Sequence, residues 1–529
     1  MAESERAWWR DPGVVLAVAA AVVWAVQWSH GRPLFIDEQY LALNVRERGL
    51  LGLAGDLDHN QSAPLGWLWV QWGITHVLGT GDRVLRLLPF AFGLLTLAAA
   101  AVIGRRWLGA AGGAALVLLC AVNPVLLYHA TEFKQYSADA AAVLVLVGLA
   151  AWVVERPSAR AEWVWWGVAA VAGWFSMASV LVTPGLALTV LLVRRRSGWL
   201  RWCLKGFVWL ASFALHYALS LRHAAGDDFL VTWFDGIGFP KQADGLGGVR
   251  AWLADRPEAL VQDPFGLDAG LALPVCLLVV AGIALAAWHR PAFGALLAVP
   301  ILSGFALAVA RVAPLSDRLA LWLVPVAYLA TAVVVAAAAR GLRAVWRRRR
   351  WAALLAAVPA AALLVGAVVA VTPLAGRVVR PLPTTDQVDD REAVAYLARE
   401  RRPDDLIMVF LPSVYAVDWY APQLSGVVHT FDVVAPGPDC DLGDLKARAA
   451  GHGRIIAYLG HRTGPVPVRS VLGARLGELG AVQPTVLGDG AGGPGTGWVY
   501  VADLTQPGKP APASAPYLTD QPKTCLKLA

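Results

Sequence analysis

Two adjacent carboxylates, Asp37 and Glu38, follow the first apolar block of the chain, in Phe35-Ile36-Asp37-Glu38-Gln39-Tyr40. A carboxylate beside a hydroxyl can take its proton while the oxygen attacks, which is general base chemistry. An aspartate at the edge of a helical pattern can equally cap it, here a helix over 38–48 ended by Gly49. A second constellation is His59-Asn60-Gln61-Ser62-Ala63-Pro64-Leu65, which offers an imidazole and an amide to a polar substrate or forms an ordinary polar turn. In the third, Asn123-Pro124 is followed by His129, Glu132, Lys134, Gln135, Tyr136 and Asp139. If that segment is helical, His129, Glu132, Tyr136 and Asp139 run i, i+3, i+7, i+10 and share one face. Asp139 sits at the start of an apolar block, with Lys134 as its nearest cation, so it is either functional or half of an ion pair joining two helices. The fourth is Arg311, Asp317 and Arg318, between two apolar blocks. Cations there can hold phosphate oxygens; alternatively Asp317 caps the next helix and Arg318 reaches up to lipid headgroups.

The elements that must position these residues are membrane spans. The chain is 57% hydrophobic and 16% charged over 529 residues, against about a quarter charged for soluble domains. Its apolar residues fall in blocks of roughly 20, the length that crosses a bilayer core. Spans are predicted at 13–28, 87–104, 110–128, 138–154, 163–175, 180–193, 207–221, 271–288, 292–309, 319–339 and 352–372. The first block is long enough to remain as an anchor, and no small-residue cleavage site clearly follows it. Eleven spans place the N-terminus inside and the C-terminus outside. Arg105-Arg106, Arg156 with Arg160, Arg194-Arg195-Arg196, Arg290 and the cluster 340–350 then all lie on the cytoplasmic side, as the positive-inside rule requires. All four constellations fall on the outer side.

The segment 63–79 tests this assignment. It is apolar enough to span, but crossing there would put the dense arginine runs outside. Gln71, Thr75 and His76 give it a polar edge at helical spacing, so it is expected to lie flat in the outer interface with Trp67, Trp69 and Trp72. The first outer loop is then long, 29–86, and a second covers 222–269. After the last span the composition changes. A helix is predicted over 388–401 and buried strands at 406–411, 454–459 and 498–502.

The expected organisation is a transmembrane module (1–374), an extracytoplasmic α/β domain (375–506) and a Pro/Ala-rich tail (507–529). The net charge of +7 belongs to the membrane part: from residue 375 onward 15 Lys and Arg face 16 Asp and Glu, so no nucleic-acid surface is expected. Of five cysteines, Cys440 and Cys525 fall outside the spans, where a disulfide between them is permitted.

The order of these motifs resembles the GT-C superfamily of membrane glycosyltransferases, within it the protein mannosyltransferase and aminoarabinose transferase group. The carriers are Asp37-Glu38 after the first span, Gln61-Ser62-Ala63-Pro64-Leu65 before a flat helix, Arg86-Leu87-Leu88-Pro89 opening the second span, and 123–139. The family's His-Pro-Pro-Leu appears here as Gln61-Ser62-Ala63-Pro64-Leu65, and Glu132 and Lys134 stand where many relatives carry an arginine and an aspartate.

The resemblance implies a polytopic α-helical protein of about 11 transmembrane helices with a GT-C-like catalytic module and an extracytoplasmic α/β domain. It implies transfer of a sugar from a polyprenyl-phosphate donor in the lipid bilayer to an envelope glycan, lipid or protein acceptor, with inversion. Asp37, with Glu38 beside it, would be the catalytic carboxylate. His59, Gln61, Arg86, His129, Glu132, Lys134, Tyr136, Asp139 and Arg318 would contact substrate. Lys134, Arg86 or Arg318 would take the negative charge that builds on the leaving phosphate. No cofactor is expected; Asp37, Glu132 and Asp139 could meet on a hard cation, but much of the group needs none. Rival readings use the same charged residues to coordinate a headgroup, in a flippase or transporter of envelope lipids, or leave the α/β domain as a scaffold for a partner.

Overall fold

The structure is a computed structural model describing residues 8–194, 198–224, 229–348, 375–379, 389–434, 442–460, 468–487, 497–508 and 525–528. The chain forms two compact units, Met1–Gly31 with Arg48–Leu382, and Arg32–Glu47 with Pro383–Ala529.

The first unit is helical. Among the described residues, eight apolar helical stretches are long enough to cross a bilayer, which makes this a multi-pass membrane protein. Helix Pro12–Ser29 opens with proline in its first turn, and Asp11 accepts the Gly13 N–H at 3.0 Å, filling one of the orphan donors of a helix start. The stretch Leu87–Val122 contains two helices, Leu87–Ile103 and Gly109–Val122, because the chain reverses through Gly109 at φ 74°. They approach so closely that a Cβ on Gly104 would lie 2.5 Å from the Gly113 Cα. Helices Ala272–His289 and Leu323–Arg348 meet in the same manner, since a Cβ on Gly282 would fall 1.9 Å from the Ala330 carbonyl oxygen. Without a hydrophobic drive between helices in lipid, such small-residue contacts supply dispersion attraction.

The first ten predicted spans fall on helices, except that 110–128 is broken at Asn123 into helices Gly109–Val122 and Pro124–Ala130, and the eleventh, 352–372, lies outside the described residues. The segment predicted to lie flat is helix Leu65–Leu78, 14 residues long, the same length as helix Ala159–Ala172 on the predicted span 163–175. Trp67, Leu68, Gln71 and Thr75 are buried on it.

The second unit is a six-stranded sheet: β1 Asp405–Phe410, β2 Val428–Val434, β3 Arg454–Leu459, β4 Ala481–Leu487, β5 Gly497–Asp503 and β6 Cys525–Leu528, in the order β4-β5-β3-β1-β2-β6. β1 is parallel to β2 and β3, with Ile407 opposite Val428 and Ile456; the other pairs are antiparallel. Helices cover both faces. Ile407 and Val409 pack with Ala393, Leu397 and Val417 on one side, Leu406 and Met408 with Leu445, Leu472 and Leu476 on the other. A strand covered on both faces reads as a continuous apolar run, which is why β1 and β3 are visible in the sequence. The segment Arg32–Glu47 is part of this unit. Its helix, Ile36–Glu47, lays Arg46 over the Trp419 ring at 5.0 Å and sets Tyr40 edge-on to Tyr415 at 4.4 Å. Cys440 lies outside the described residues, so its pairing with Cys525 has no structural account.

Candidate functional site

The Asp37 helix starts earlier than predicted. It runs from Ile36, with the Phe35 carbonyl accepting the Glu38 and Gln39 N–H groups at 2.8 and 2.9 Å. Phe35 is therefore the cap residue and Asp37 lies inside the first turn. The cap is supplied by Glu38, fully buried, whose Oε2 accepts the Phe35 N–H at 2.8 Å. This is the returning half of a capping box, a glutamate at the third helical position reaching back to the cap N–H. Glu38 is thus the carboxylate on the cap N–H, and Asp37, half-buried, is an acid of the first turn and not the cap residue.

In the first unit the third constellation is a broken helix, not one face. Helix Pro124–Ala130 ends at Thr131 and helix Tyr136–Glu155 begins after an irregular turn. Asn123 holds this corner. Its Oδ1 accepts the Leu126 N–H at 2.7 Å, and its Nδ2 donates to the Tyr328 hydroxyl at 2.9 Å and the Phe265 carbonyl at 3.1 Å. Asn123→Ala removes a cap and strands buried partners, so a stability loss of about 2–4 kcal/mol is expected. A melting temperature in detergent equal to wild type would refute that role.

Within the turn, His129 Nδ1 lies 2.5 Å from Glu132 Oε2, both buried. Burial opposes ionisation of Glu132, but His129, then Arg318 and Lys134, outweigh it and hold the carboxyl below its ordinary value. Lys134, also buried, donates from Nζ to Gln61 Oε1 at 2.6 Å, bringing the second and third constellations together. The Arg318 guanidinium lies over the Tyr136 ring at 5.6 Å, and the His129 and Tyr136 rings meet edge to face at 5.3 Å. Gln61, His129, Glu132, Lys134, Tyr136 and Arg318 are thus one cluster, with an ammonium and a guanidinium beside a carboxylate whose charge they favour.

The other candidates stand elsewhere. Asp139 accepts from the Ser176 hydroxyl at 2.6 Å and the Ala178 N–H at 3.1 Å, at the start of helix Met177–Arg194, so of its two readings the ion pair with Lys134 gives way to a carboxyl set on a helix N-terminus. Arg86 is buried between helices Asp82–Leu85 and Leu87–Ile103. His59 is exposed, with φ 63°. Arg311 pairs with Asp235 at 2.8 Å. Asp317 has φ 46° and begins the turn Asp317–Ala320 behind the cap position Ser316, so it does not cap as proposed. Asp263, in the second long loop, also lies within electrostatic range of His129, Asp317 and Arg318. No spacing rule links 129 to 263, so the sequence alone does not bring them together.

No protein-family model matches the chain, and no curated protein does. Solved structures do. ArnT from Cupriavidus metallidurans bound to undecaprenyl phosphate is similar over 92% of this chain and 97% of that chain, with a TM-score of 0.50 at 17% identity. The chain has the ArnT fold. The fold expected from the order of the motifs is thus the fold observed. ArnT in the apo state covers 94% of this chain and 99% of that chain at TM-score 0.49 and 17% identity. The Archaeoglobus fulgidus oligosaccharyltransferase in complex with Zn and sulfate covers 84% of this chain and 67% of that chain at TM-score 0.46 and 12% identity.

Proposed function

We propose that this chain is a membrane glycosyltransferase that moves a sugar from a polyprenyl-phosphate donor to an envelope acceptor on the extracytoplasmic side, with Asp37 as general base. The observation that carries the reading is the ArnT fold, seen in a protein holding undecaprenyl phosphate, joined to an Asp37 that lies inside the first turn of its helix while Glu38 accepts the N–H of the cap residue. Asp37 takes the proton of the acceptor hydroxyl. The freed oxygen forms its bond to the anomeric carbon as the bond from that carbon to the phosphate oxygen breaks, which inverts the centre. The departing phosphodiester becomes a monoester and gains negative charge. Lys134, Arg318 and Arg86 are assigned to that charge. Gln61 and the His129–Glu132 pair orient Lys134 and the donor, with Tyr136 under the Arg318 guanidinium. Asp139 serves by fixing helix Met177–Arg194, and His59 is assigned to the acceptor.

The test is incubation of the purified full-length protein with radiolabelled polyprenyl-phosphate sugars and extracted envelope acceptors. Label on the acceptor with release of polyprenyl phosphate supports the reading. Lipid translocation without transfer refutes it.

The orientation belongs to the same proposal. Gly81 and Gly198 are exposed, and cysteines introduced there should react with an impermeant thiol reagent from the outside and the inside respectively. Cys203 is exposed and is replaced by serine beforehand. Labelling of position 81 from the cytoplasm would overturn the topology.

A further inference from the structure

Open α/β sheets bind ligands outside the carboxyl ends of their strands, where successive crossovers leave in opposite directions. In the second unit that point lies between β1 and β3. From β1 the chain crosses through helix Val414–Tyr420 on one face to β2; after β3 it passes through helix Val468–Leu479 on the other face toward β4. Ser413 and Gly460, just past these strand ends, form a buried polar cluster with Tyr458 near the end of β3 and Asp390 at the start of helix Asp390–Glu400. Asp390 Oδ1 accepts a hydrogen bond from the Tyr458 hydroxyl, and Ser413 Oγ accepts the Gly460 N–H at 3.1 Å. A Cβ on Gly460 would come within 2.5 Å of the Tyr458 hydroxyl and 2.6 Å of Asp390 Oδ1, so glycine is required there. Burial pushes the Asp390 carboxyl up to about 6, against the hydrogen bonds from Tyr458 and Gln39 that favour its charge.

The crevice is occupied by the chain itself. Gln39 Nε2 donates to Asp390 Oδ2 and to the Leu34 carbonyl, both at 2.9 Å, and the Leu34 N–H donates to the Tyr420 hydroxyl at 2.9 Å. With acceptors on both sides, only the nitrogen of the Gln39 amide fits that place. Gln39 stands two residues from Asp37 on the same helical turn.

We propose that the C-terminal unit uses its ligand crevice to seat the Asp37 helix, with Gln39, Asp390 and Tyr458 as positioning residues for Asp37. This rests on the reading of Asp37 as the base. It assigns the outer unit a definite task, holding the carboxylate in register, and it places an internal peptide where folds of this kind hold a small molecule.

The test uses full-length protein in nanodiscs. Gln39→Glu keeps size but sets a carboxylate against Asp390 and the Leu34 carbonyl. Amide exchange over 35–40 should then quicken at least tenfold while β1 and β3 stay protected. The kcat for transfer from a radiolabelled polyprenyl-phosphate sugar should fall more than tenfold with KM for the donor unchanged. Adding Asp390→Asn should restore part of both, because the asparagine amide can donate to the new carboxylate. Tyr458→Phe, which deletes one hydroxyl, should show the same pattern at smaller size, and it decides the matter if Gln39→Glu does not fold. Wild-type exchange and kcat in the folded variants, or equal deprotection of β1 and β3, would overturn the proposal. Full transfer by Asp37→Asn would instead remove the Asp37 reading, and the exchange measurements would still report whether the cluster holds the helix.

Discussion

Asp37→Asn should fold, bind the donor lipid and lose about 10²–10⁴-fold in kcat, the share that general base catalysis typically contributes. The structure sharpens this expectation. Had Asp37 capped its helix, asparagine would have replaced it in that task as well. Instead Phe35 is the cap position and Glu38 closes it from the third position, so Asp37→Asn leaves the helix start intact for a different reason. It costs only a favourable first-turn charge, about 0.3–1 kcal/mol. Glu38→Gln is the matched control: its amide oxygen can still accept the Phe35 N–H, and transfer should remain close to wild type. Glu38→Ala should lower the melting temperature, since losing a cap costs about 0.5–2 kcal/mol. Steady-state kinetics and melts of these three variants check the set. Equal loss of kcat in Asp37→Asn and Glu38→Gln would show that the carboxylates act together and that Asp37 is not the single base.

The second large effect is expected at Lys134. Its ammonium is buried and donates to Gln61 at 2.6 Å. A charge-assisted hydrogen bond to a phosphate oxygen contributes about 1.5–3 kcal/mol, and 1.4 kcal/mol is a factor of ten. Lys134→Ala should therefore weaken binding of undecaprenyl phosphate by roughly 10–100-fold. The fold should hold, because Glu132 keeps His129 and Arg318 as neighbours. Titration of the lipid against protein in nanodiscs, with Lys134→Arg as the variant that retains charge, reads the effect. An unchanged Kd for Lys134→Ala would move the phosphate to Arg86 or Arg318.

Much of this architecture can be read before folding, and the reasons are physical. A bilayer demands blocks of about 20 apolar residues, and the spans stand out for that reason. β1 and β3 are legible because burial on both faces makes them apolar throughout. β2 is not, since His429, Thr430 and Asp432 interrupt it, and β4 carries Pro484 opposite Tyr500. Local chemistry misleads at Asp37, where an aspartate before a helical pattern suggests a cap and the actual cap position is Phe35, a residue type without capping preference. The one-face reading of 129–139 failed because Thr131–Gln135 breaks the helix, although Glu132 still reaches His129 across three residues. Gln39 and Asp390 are separated by 351 residues, and neither pattern nor charge in the chain announces that they meet.

Breaking the bond between a sugar and a polyprenyl phosphate is what separates the proposed glycosyltransferase from a flippase. The most direct measurement is the release of polyprenyl phosphate from a labelled polyprenyl-phosphate sugar in proteoliposomes, with leaflet exchange of the same lipid followed in parallel. Wild-type protein should release polyprenyl phosphate in step with label appearing on an acceptor, and Asp37→Asn should bind the lipid without releasing it. Exchange of intact lipid between leaflets by both proteins, with no release by either, would contradict the account.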